Sequence, residues 1–220
     1  MVKQQRGEAT IDQLLTAALR VYAEKGQQGF TVSAVTKESG VSLGSLYHHF
    51  GNFDGLAAAL YIRCMGRLFE ELTVSVQRTR TARTGVRALV HAYFRFTREQ
   101  RDAALFLHAS AYSGYLAGHA EEIQAAKLVQ VAPMLEWLVA RMAKGEIAPL
   151  PVPLVEIMVM GPVTEAARRW LSNTYCIDLD EAARHLPDSI WRSLSPEPGG
   201  TAVAVAADPP VTGRECRPAV

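Results

Sequence analysis

Hydrophobic residues recur at helical spacing along most of the chain, and no segment alternates convincingly between apolar and polar residues as a strand would. The first such stripe consists of Ile11, Leu14, Leu15, Ala18, Val21 and Tyr22. Thr10 and Gln13 have the spacing of a capping box, so we expect Thr10 to cap this helix. Gly26 and Gly29 are expected to end it, because glycine adopts the left-handed conformation at little energetic cost.

Two very short helices are predicted next. Thr31 is expected to cap one of them and Ser42 the other, which carries Leu46 and Phe50 inward. The link between them, residues 40–42, contains a glycine and is so short that the two helices must cross steeply. This arrangement is a helix-turn-helix.

Longer helical segments are predicted over the remainder of the chain. They are 52–78, an apolar stripe over 86–94, an apolar segment over 103–116, then 120–144, 154–171 and 178–194. A charged loop is expected over 78–87 and a Gly- and Pro-containing linker over 145–153. Pro133 is expected to kink its helix, and Gly161 with Pro162 to interrupt the next one. Asp178 and Glu181 repeat the capping-box pattern.

These elements predict an all-α fold in which an N-terminal three-helix domain with the helix-turn-helix joins a larger helical domain. The predicted boundaries are 1–55, with an N-terminal arm, and 56–195, followed by a disordered tail over 196–220. The tail is rich in Pro, Gly and Ala and has no hydrophobic period.

Composition narrows the class of protein. The 220 residues are 49% apolar and carry a net charge of only +1, so no strong overall field attracts nucleic acid or membranes. Three widely separated cysteines favour neither a zinc motif nor a disulfide framework. Neither a signal peptide nor a membrane-spanning segment is visible, so we expect a soluble cytoplasmic protein.

The second short helix carries the chemistry that points to DNA. Small hydrogen-bonding residues at a helix N-terminus approach base edges and phosphates closely, and the free N–H groups there favour anions. A tyrosine in the same helix offers a phenolic donor to a phosphate. The residues that project away from the helix anchors are Ser42, Leu43, Gly44, Ser45, Tyr47 and His48.

The stretch from Gly29 to Leu56 resembles the TetR family of transcriptional regulators. The resemblance lies in Gly29-Phe30-Thr31, in Ser39-Gly40-Val41-Ser42 and in Gly44-Ser45-Leu46-Tyr47-His48-His49-Phe50. It implies that Thr31 and Tyr47 hold phosphates, and that Ser42, Gly44, Ser45 and His48 lie in or beside the major groove. It further implies a homodimer that binds a palindromic operator and is released, as a repressor, by a small-molecule effector.

The chain departs from the family at two positions. Many members carry lysine where this chain has Leu43 and Phe53, and both lysines usually contact the DNA backbone. The five basic and five acidic residues of segment 1–56 also balance, which favours modest affinity from counterion release. Leu43 is a candidate contact to a thymine methyl group instead.

Two further sets of candidate residues lie in the C-terminal helices. Residues that suit an apolar effector pocket with a few polar groups are His91, Phe94, Phe106, His108, Tyr112, Met134 and Trp137, although aromatic stripes are more often plain core. Residues that form a dimer face, or alternatively core, are Met158, Val159, Val163, Ala167, Trp170, Ile190 and Trp191. The family resemblance implies that the last two helices supply the dimer interface.

Several alternatives stay open or are disfavoured at this point. Activation instead of repression is possible, and so is a DNA-binding dimer without an effector. An enzyme is not expected, because Ser110, Ser113 and Cys64 have no visible base partner. No cofactor and no metal site are expected: the adjacent His48 and His49 diverge around a helix and rarely share one ion.

Overall fold

The computed structural model describes residues 2–110, 114–173 and 177–196, with side chains described from Arg6 onward. Within these residues all regular structure is helical, as the periodicity predicts. The helices are α1 (Val2–Gly29), α2 (Val32–Ser39), α3 (Leu43–Phe50), α4 (Phe53–Gln77), α5 (Ala82–Glu99), α6 (Arg101–Ser110), α7 (Gly114–Ala117), α8 (Ala120–Ala143), α9 (Val152–Ser172) and α10 (Leu179–Leu194). No described helix is long and apolar enough to cross a membrane.

The caps of the helix-turn-helix are confirmed. The Thr31 hydroxyl accepts a hydrogen bond from the Ala34 amide at the start of α2, and the Ser42 hydroxyl accepts one from the Ser45 amide at the start of α3. Gly40 ends α2 with φ 67°, a left-handed backbone conformation that is strained for residues with a side chain. At the start of α4, the side-chain oxygen of Asn52 accepts a hydrogen bond from the Gly55 amide.

Several predicted boundaries are wrong. Helix α1 begins at Val2, and Thr10 lies inside it with its hydroxyl donating to the Arg6 carbonyl. Helix α5 begins at Ala82, within the predicted loop 78–87, because Thr81 and Thr84 form a capping box that the charged composition concealed. Helix α9 runs unbroken through Gly161 and Pro162.

Helix α4 lies at the centre of the molecule. It packs against α1 and α3 at its N-terminal end and against α5, α6, α7 and α8 further along. Helix α10 covers α5 and α9. The sequence-based domain boundary at residue 55 falls inside α4, so this single rod of about 37 Å belongs to both domains.

Helix α8 differs from its neighbours. It packs along α4, but Val131 is its one buried residue within the described part of the chain. Its inward face therefore borders a space that the other helices do not fill, and this space is the cavity described below.

Candidate DNA-binding surface and effector cavity

Helix α3 presents a mixed surface. Leu46 is completely buried and anchors the helix, while Leu43 is 47% and Tyr47 44% exposed. Ser42, Gly44 and His48 are exposed as well, and Ser45 is half-buried. Thr31 is exposed at the start of α2. All seven predicted DNA-contacting residues thus reach solvent at the N-terminal ends or along the outer side of two adjoining helices.

The turn between α2 and α3 is held from inside by Ser39. Its hydroxyl accepts a hydrogen bond from the Val41 amide at 3.2 Å, and its carbonyl accepts one from the Gln13 side chain at 2.6 Å. Helix α1 thereby fixes the angle at which α3 is presented. The sequence predicts Gln13 as part of a capping box and does not indicate that its side chain bridges α1 to Ser39.

The two departures from the family pattern have different consequences. Phe53 packs its ring 4.9 Å from that of Phe30, so this position supports the core of the small domain. Leu43, in contrast, stays at the surface. Arg20 is paired with Glu38 at 2.8 Å, which further reduces the positive charge available to DNA.

A cavity of about 750 Å³ lies between α4, α5, α6, α8 and α9. This volume is within the range of sites that bind small molecules. Its wall is mainly apolar, with Met65 and Leu68 from α4 facing Val131 and Met134 from α8.

The predicted effector residues are only partly brought together. His108, Met134 and Trp137 line the cavity, whereas Phe94 and Phe106 are buried elsewhere in the core and His91 is exposed. Tyr112 lies outside the described residues. Helix α5 turns Val86, Leu89 and Tyr93 toward the cavity, and this rotation carries His91 to the outer surface.

A polar pair, with Tyr93 buried and His108 half-buried, interrupts the apolar wall. The Tyr93 hydroxyl lies 3.1 Å from Nε2 of His108, and both residues line the cavity. Burial lowers the pKa of His108 to about 4 and raises the pKa of Tyr93 above its ordinary value. Both groups are therefore uncharged at neutral pH. Tyr93 was not among the sequence-based candidates, because nothing local marks which side of α5 meets the cavity.

Phe106 joins the cavity to the DNA-binding domain. It is completely buried, and its ring lies 4.8 Å from that of Tyr22 on α1 and 5.9 Å from that of Phe30. The next two residues of α6, Leu107 and His108, line the cavity. One short helix thus contacts both sites.

The predicted dimer face is mostly internal to one chain. The buried residues are Val159, Val163, Ala167 and Ile190. Met158, Trp170 and Trp191 are half-buried and pack against the same core, with the Arg101 guanidinium 5.0 Å from the Trp170 ring. These side chains pack in the interfaces of α9 with α5, α6 and α10. The large exposed apolar residues of α9 are instead Leu154 and Ile157.

Residues 14–60 match the sequence model of the family described as bacterial regulatory proteins, tetR family. The match covers α2, α3 and the parts of α1 and α4 that pack on them.

Two characterised relatives extend the similarity over most of the chain. The fatty acid metabolism regulator protein of Bacillus subtilis is 24% identical over 169 residues, covering 76% of this chain and 86% of the relative. The transcriptional activator FasR of Mycolicibacterium smegmatis is 27% identical over 194 residues, covering 84% of this chain and 83% of the relative.

The fold also matches a solved structure of a ligand complex. The transcriptional regulator FadR from Bacillus subtilis, crystallised with stearoyl-CoA, superposes with a TM-score of 0.66 at 21% identity. The superposition covers 82% of this chain and 97% of that protein.

Proposed function

We propose that this chain is a ligand-responsive DNA-binding regulator of the TetR family whose effector is a long-chain acyl compound bound in the cavity. Residues 1–55 bind DNA, and 56–195 bind the effector and dimerise. The protein acts on a palindromic operator in the cytoplasm and performs no catalysis of its own. The protein acts as a repressor, and effector binding releases it from the operator.

The chemistry of the cavity supports this class of effector. An apolar space lined by Met65, Leu68, Val131 and Met134 favours a hydrocarbon chain, because its burial removes apolar surface from water. Residues 152–168 of α9 border the cavity over about 24 Å, so its shape is elongated. The similarity to Bacillus subtilis proteins supports the same class, since the sequence relative is named for fatty acid metabolism and the similar structure contains stearoyl-CoA.

The observation that carries the proposal is the position of Phe106. Its ring packs among Tyr22 and Phe30 of the DNA-binding domain, and its neighbours in α6 form the cavity wall. Tyr61 of α4 also lines the cavity, and its ring lies 6.4 Å from that of Phe106. A ligand that displaces α6 or α4 therefore also displaces α1 and changes the orientation of α3.

A dimer is required because a palindromic operator presents two equivalent half-sites. We assign the interface to the outward faces of α9 and α10, in place of the buried residues predicted from the sequence. Ile157 is 64% and Leu154 45% exposed on α9. Pro162 and Ala166 of α9 border a shallow groove with Ala182 and Leu186 of α10.

The effector is tested by anisotropy of labelled DNA that flanks the gene. Stearoyl-CoA is expected to release the protein from this DNA, and coenzyme A alone is not. Met134→Trp should block the cavity and abolish release while DNA binding persists. The matched control is Val139→Trp on the same helix, because Val139 is exposed and does not line the cavity. If both variants respond like the parent, the effector site is elsewhere.

The dimer is tested by sedimentation of Ile157→Asp combined with Leu186→Asp. Monomers that fold normally but bind the operator weakly are the expected result. The control is Val129→Asp on α8, an exposed apolar residue outside the proposed interface. A dimer that survives the double substitution, or is lost in the control, places the interface on a different face.

A further inference from the structure

The two ends of the cavity differ in polarity. Trp137, Leu138 and Ile147 line the end farthest from the DNA-binding domain. Arg141, one helical turn beyond Trp137, donates a hydrogen bond to the Thr79 carbonyl just after α4, which locates this end. The indole N–H of Trp137 is the one buried side-chain donor without a partner that the described residues place there. Apart from this N–H, the side chains named at this end are apolar, so it suits the terminal part of a hydrocarbon chain.

The opposite end lies beside the DNA-binding domain and is polar. His108 lines it two residues after Phe106, and Tyr93 reaches it from α5. Thr164, Glu165 and Arg168 of α9 complete it. Along α4 the residues that line the cavity run from Tyr61 to Phe69, which is about 12 Å along the helix axis.

Tyr93 and His108 together can donate one hydrogen bond to a ligand and accept one from it. A neutral imidazole carries a single N–H, and the phenol carries a single O–H. If the Tyr93 hydroxyl donates to Nε2 of His108, a ligand can accept from the Nδ1–H of His108 and donate to the Tyr93 oxygen. If instead Nε2–H of His108 donates to the Tyr93 oxygen, a ligand can accept from the Tyr93 O–H and donate to Nδ1 of His108. Either arrangement leaves one donor and one acceptor for a ligand, and neither supplies a positive charge.

The cations of the cavity wall are already engaged. Arg168 donates two hydrogen bonds to the Glu165 carboxylate, at 2.8 and 2.7 Å, and Lys127 donates one to Glu156 at 3.1 Å. Arg169 shares the Glu165 carboxylate. These hydrogen bonds lower the pKa of Glu165 to about 2, so its charge persists at neutral pH. A carboxylate ligand placed against His108 would meet Glu165 and would have to compete with it for Arg168.

We propose that Tyr93 and His108 bind an uncharged oxygen function of the effector, a thioester or ester carbonyl or a hydroxyl, and discriminate against a free carboxylate. The effector then lies with its polar group against α6 and its chain directed toward Trp137. This inference rests on the proposed function, since it assigns a head-group specificity to the same cavity. It also places the polar contact on the helix that carries Phe106.

Binding is measured directly, without DNA, by the fluorescence of the native tryptophans and by calorimetry. The probes are stearoyl-CoA, stearyl alcohol and stearate, each below its aggregation concentration. We expect the parent to bind stearyl alcohol and stearoyl-CoA at least tenfold more tightly than stearate at neutral pH. Equal affinity for stearate and stearyl alcohol would overturn the proposal.

Variants separate the polar pair from the rest of the wall. Tyr93→Phe removes one hydroxyl and should weaken stearyl alcohol about 3- to 10-fold while leaving stearate nearly unchanged. His108→Gln keeps one donor and one acceptor and should retain the preference, whereas His108→Phe should lose it. Leu89→Ala, one turn from Tyr93 and also in the wall, should weaken all three probes alike.

The outcomes distinguish this inference from the proposed function. If no probe binds the parent, both are wrong. If the probes bind but Tyr93→Phe and His108→Phe keep the parent's preference, the cavity is the effector site and the polar pair does not read the head group. Thermal unfolding of each variant confirms that it is folded, and Tyr93→Phe is the conservative arm should His108→Phe fail to fold.

Discussion

The helix-turn-helix and helix α8 are stabilised in different ways. Helices α2 and α3 are only eight residues long each, yet each has a side-chain cap, a glycine at its end and a fully buried anchor, Val35 and Leu46 respectively. Helix α8 is 24 residues long, has no side-chain cap at its start and buries Val131 alone. The short helices are held by well-packed contacts because their own length gives them little stability. The long helix packs along α4 but leaves most of its residues partly exposed, which leaves room for a ligand beside it.

The largest expected contrast comes from truncating one leucine in each region. Leu46→Ala should lower the free energy of unfolding by about 2–5 kcal/mol, because it opens a void around a fully buried side chain. Leu128→Ala on α8 should change it by less than about 0.5 kcal/mol, since Leu128 is 57% exposed. Urea unfolding followed by circular dichroism measures both. Similar losses would show that α8 is as tightly packed as α3.

The half-buried His108 makes the stability of the cavity region sensitive to acid. His108 has a pKa of about 4 when folded, below its unfolded value, so the unfolded chain binds more protons between about pH 6.5 and pH 4. Stability is therefore lost as the pH falls through this window, by up to about 3 kcal/mol. The groups that face His108 are Tyr93, Arg168 and Glu165.

His108→Gln tests this expectation, because glutamine does not titrate. The variant should lose less stability than the parent between neutral pH and pH 4, as measured by urea unfolding at each pH. His185→Gln, at an exposed position on α10, is the control and should follow the parent. An unchanged pH profile in His108→Gln would mean that the histidine is solvated in the folded protein.

A smaller effect is expected at the junction of the two regions. Phe106→Leu should leave operator binding and stearoyl-CoA binding within about threefold of the parent but reduce the coupling between them, which is about 1–3 kcal/mol in typical allosteric proteins. The reason is that leucine fills less of the space between Tyr22 and Phe30. Phe96→Leu on α5 is the control, because Phe96 is equally buried outside this aromatic cluster. Operator release that survives in Phe106→Leu would assign the coupling to α4 alone.

The smallest expected effects lie on the DNA-binding surface. Tyr47→Phe removes one hydroxyl and should weaken binding to all DNA sequences by roughly 1 kcal/mol, as for a lost phosphate contact. Ser45→Ala should change which sequences are preferred, with little loss of overall affinity. Anisotropy with the operator and with scrambled DNA distinguishes the two. Parent-like binding by both variants would remove α3 from the interface.

Local signals made the DNA-binding region predictable from the sequence. The caps at Thr31, Ser42 and Asn52 act on amides three residues away, so their spacing is visible in the chain itself. Hydrophobic periodicity likewise identified most of the longer helices and the helical fold. The start of α5 at Ala82 was missed because a charged composition outweighed the weaker cap formed by Thr81 and Thr84.

The C-terminal sites were decided by tertiary packing. A hydrophobic stripe predicts that a helix face is buried. It does not indicate whether the same chain, a second copy of the chain or a ligand buries it. Val163 was therefore assigned to a dimer interface although it is core, and Phe106 to a pocket although it packs into the DNA-binding domain. The pairing of Tyr93 with His108 depends on how α5 and α6 are rotated against each other. That rotation results from the packing of all the helices around α4, which no local stretch of sequence encodes.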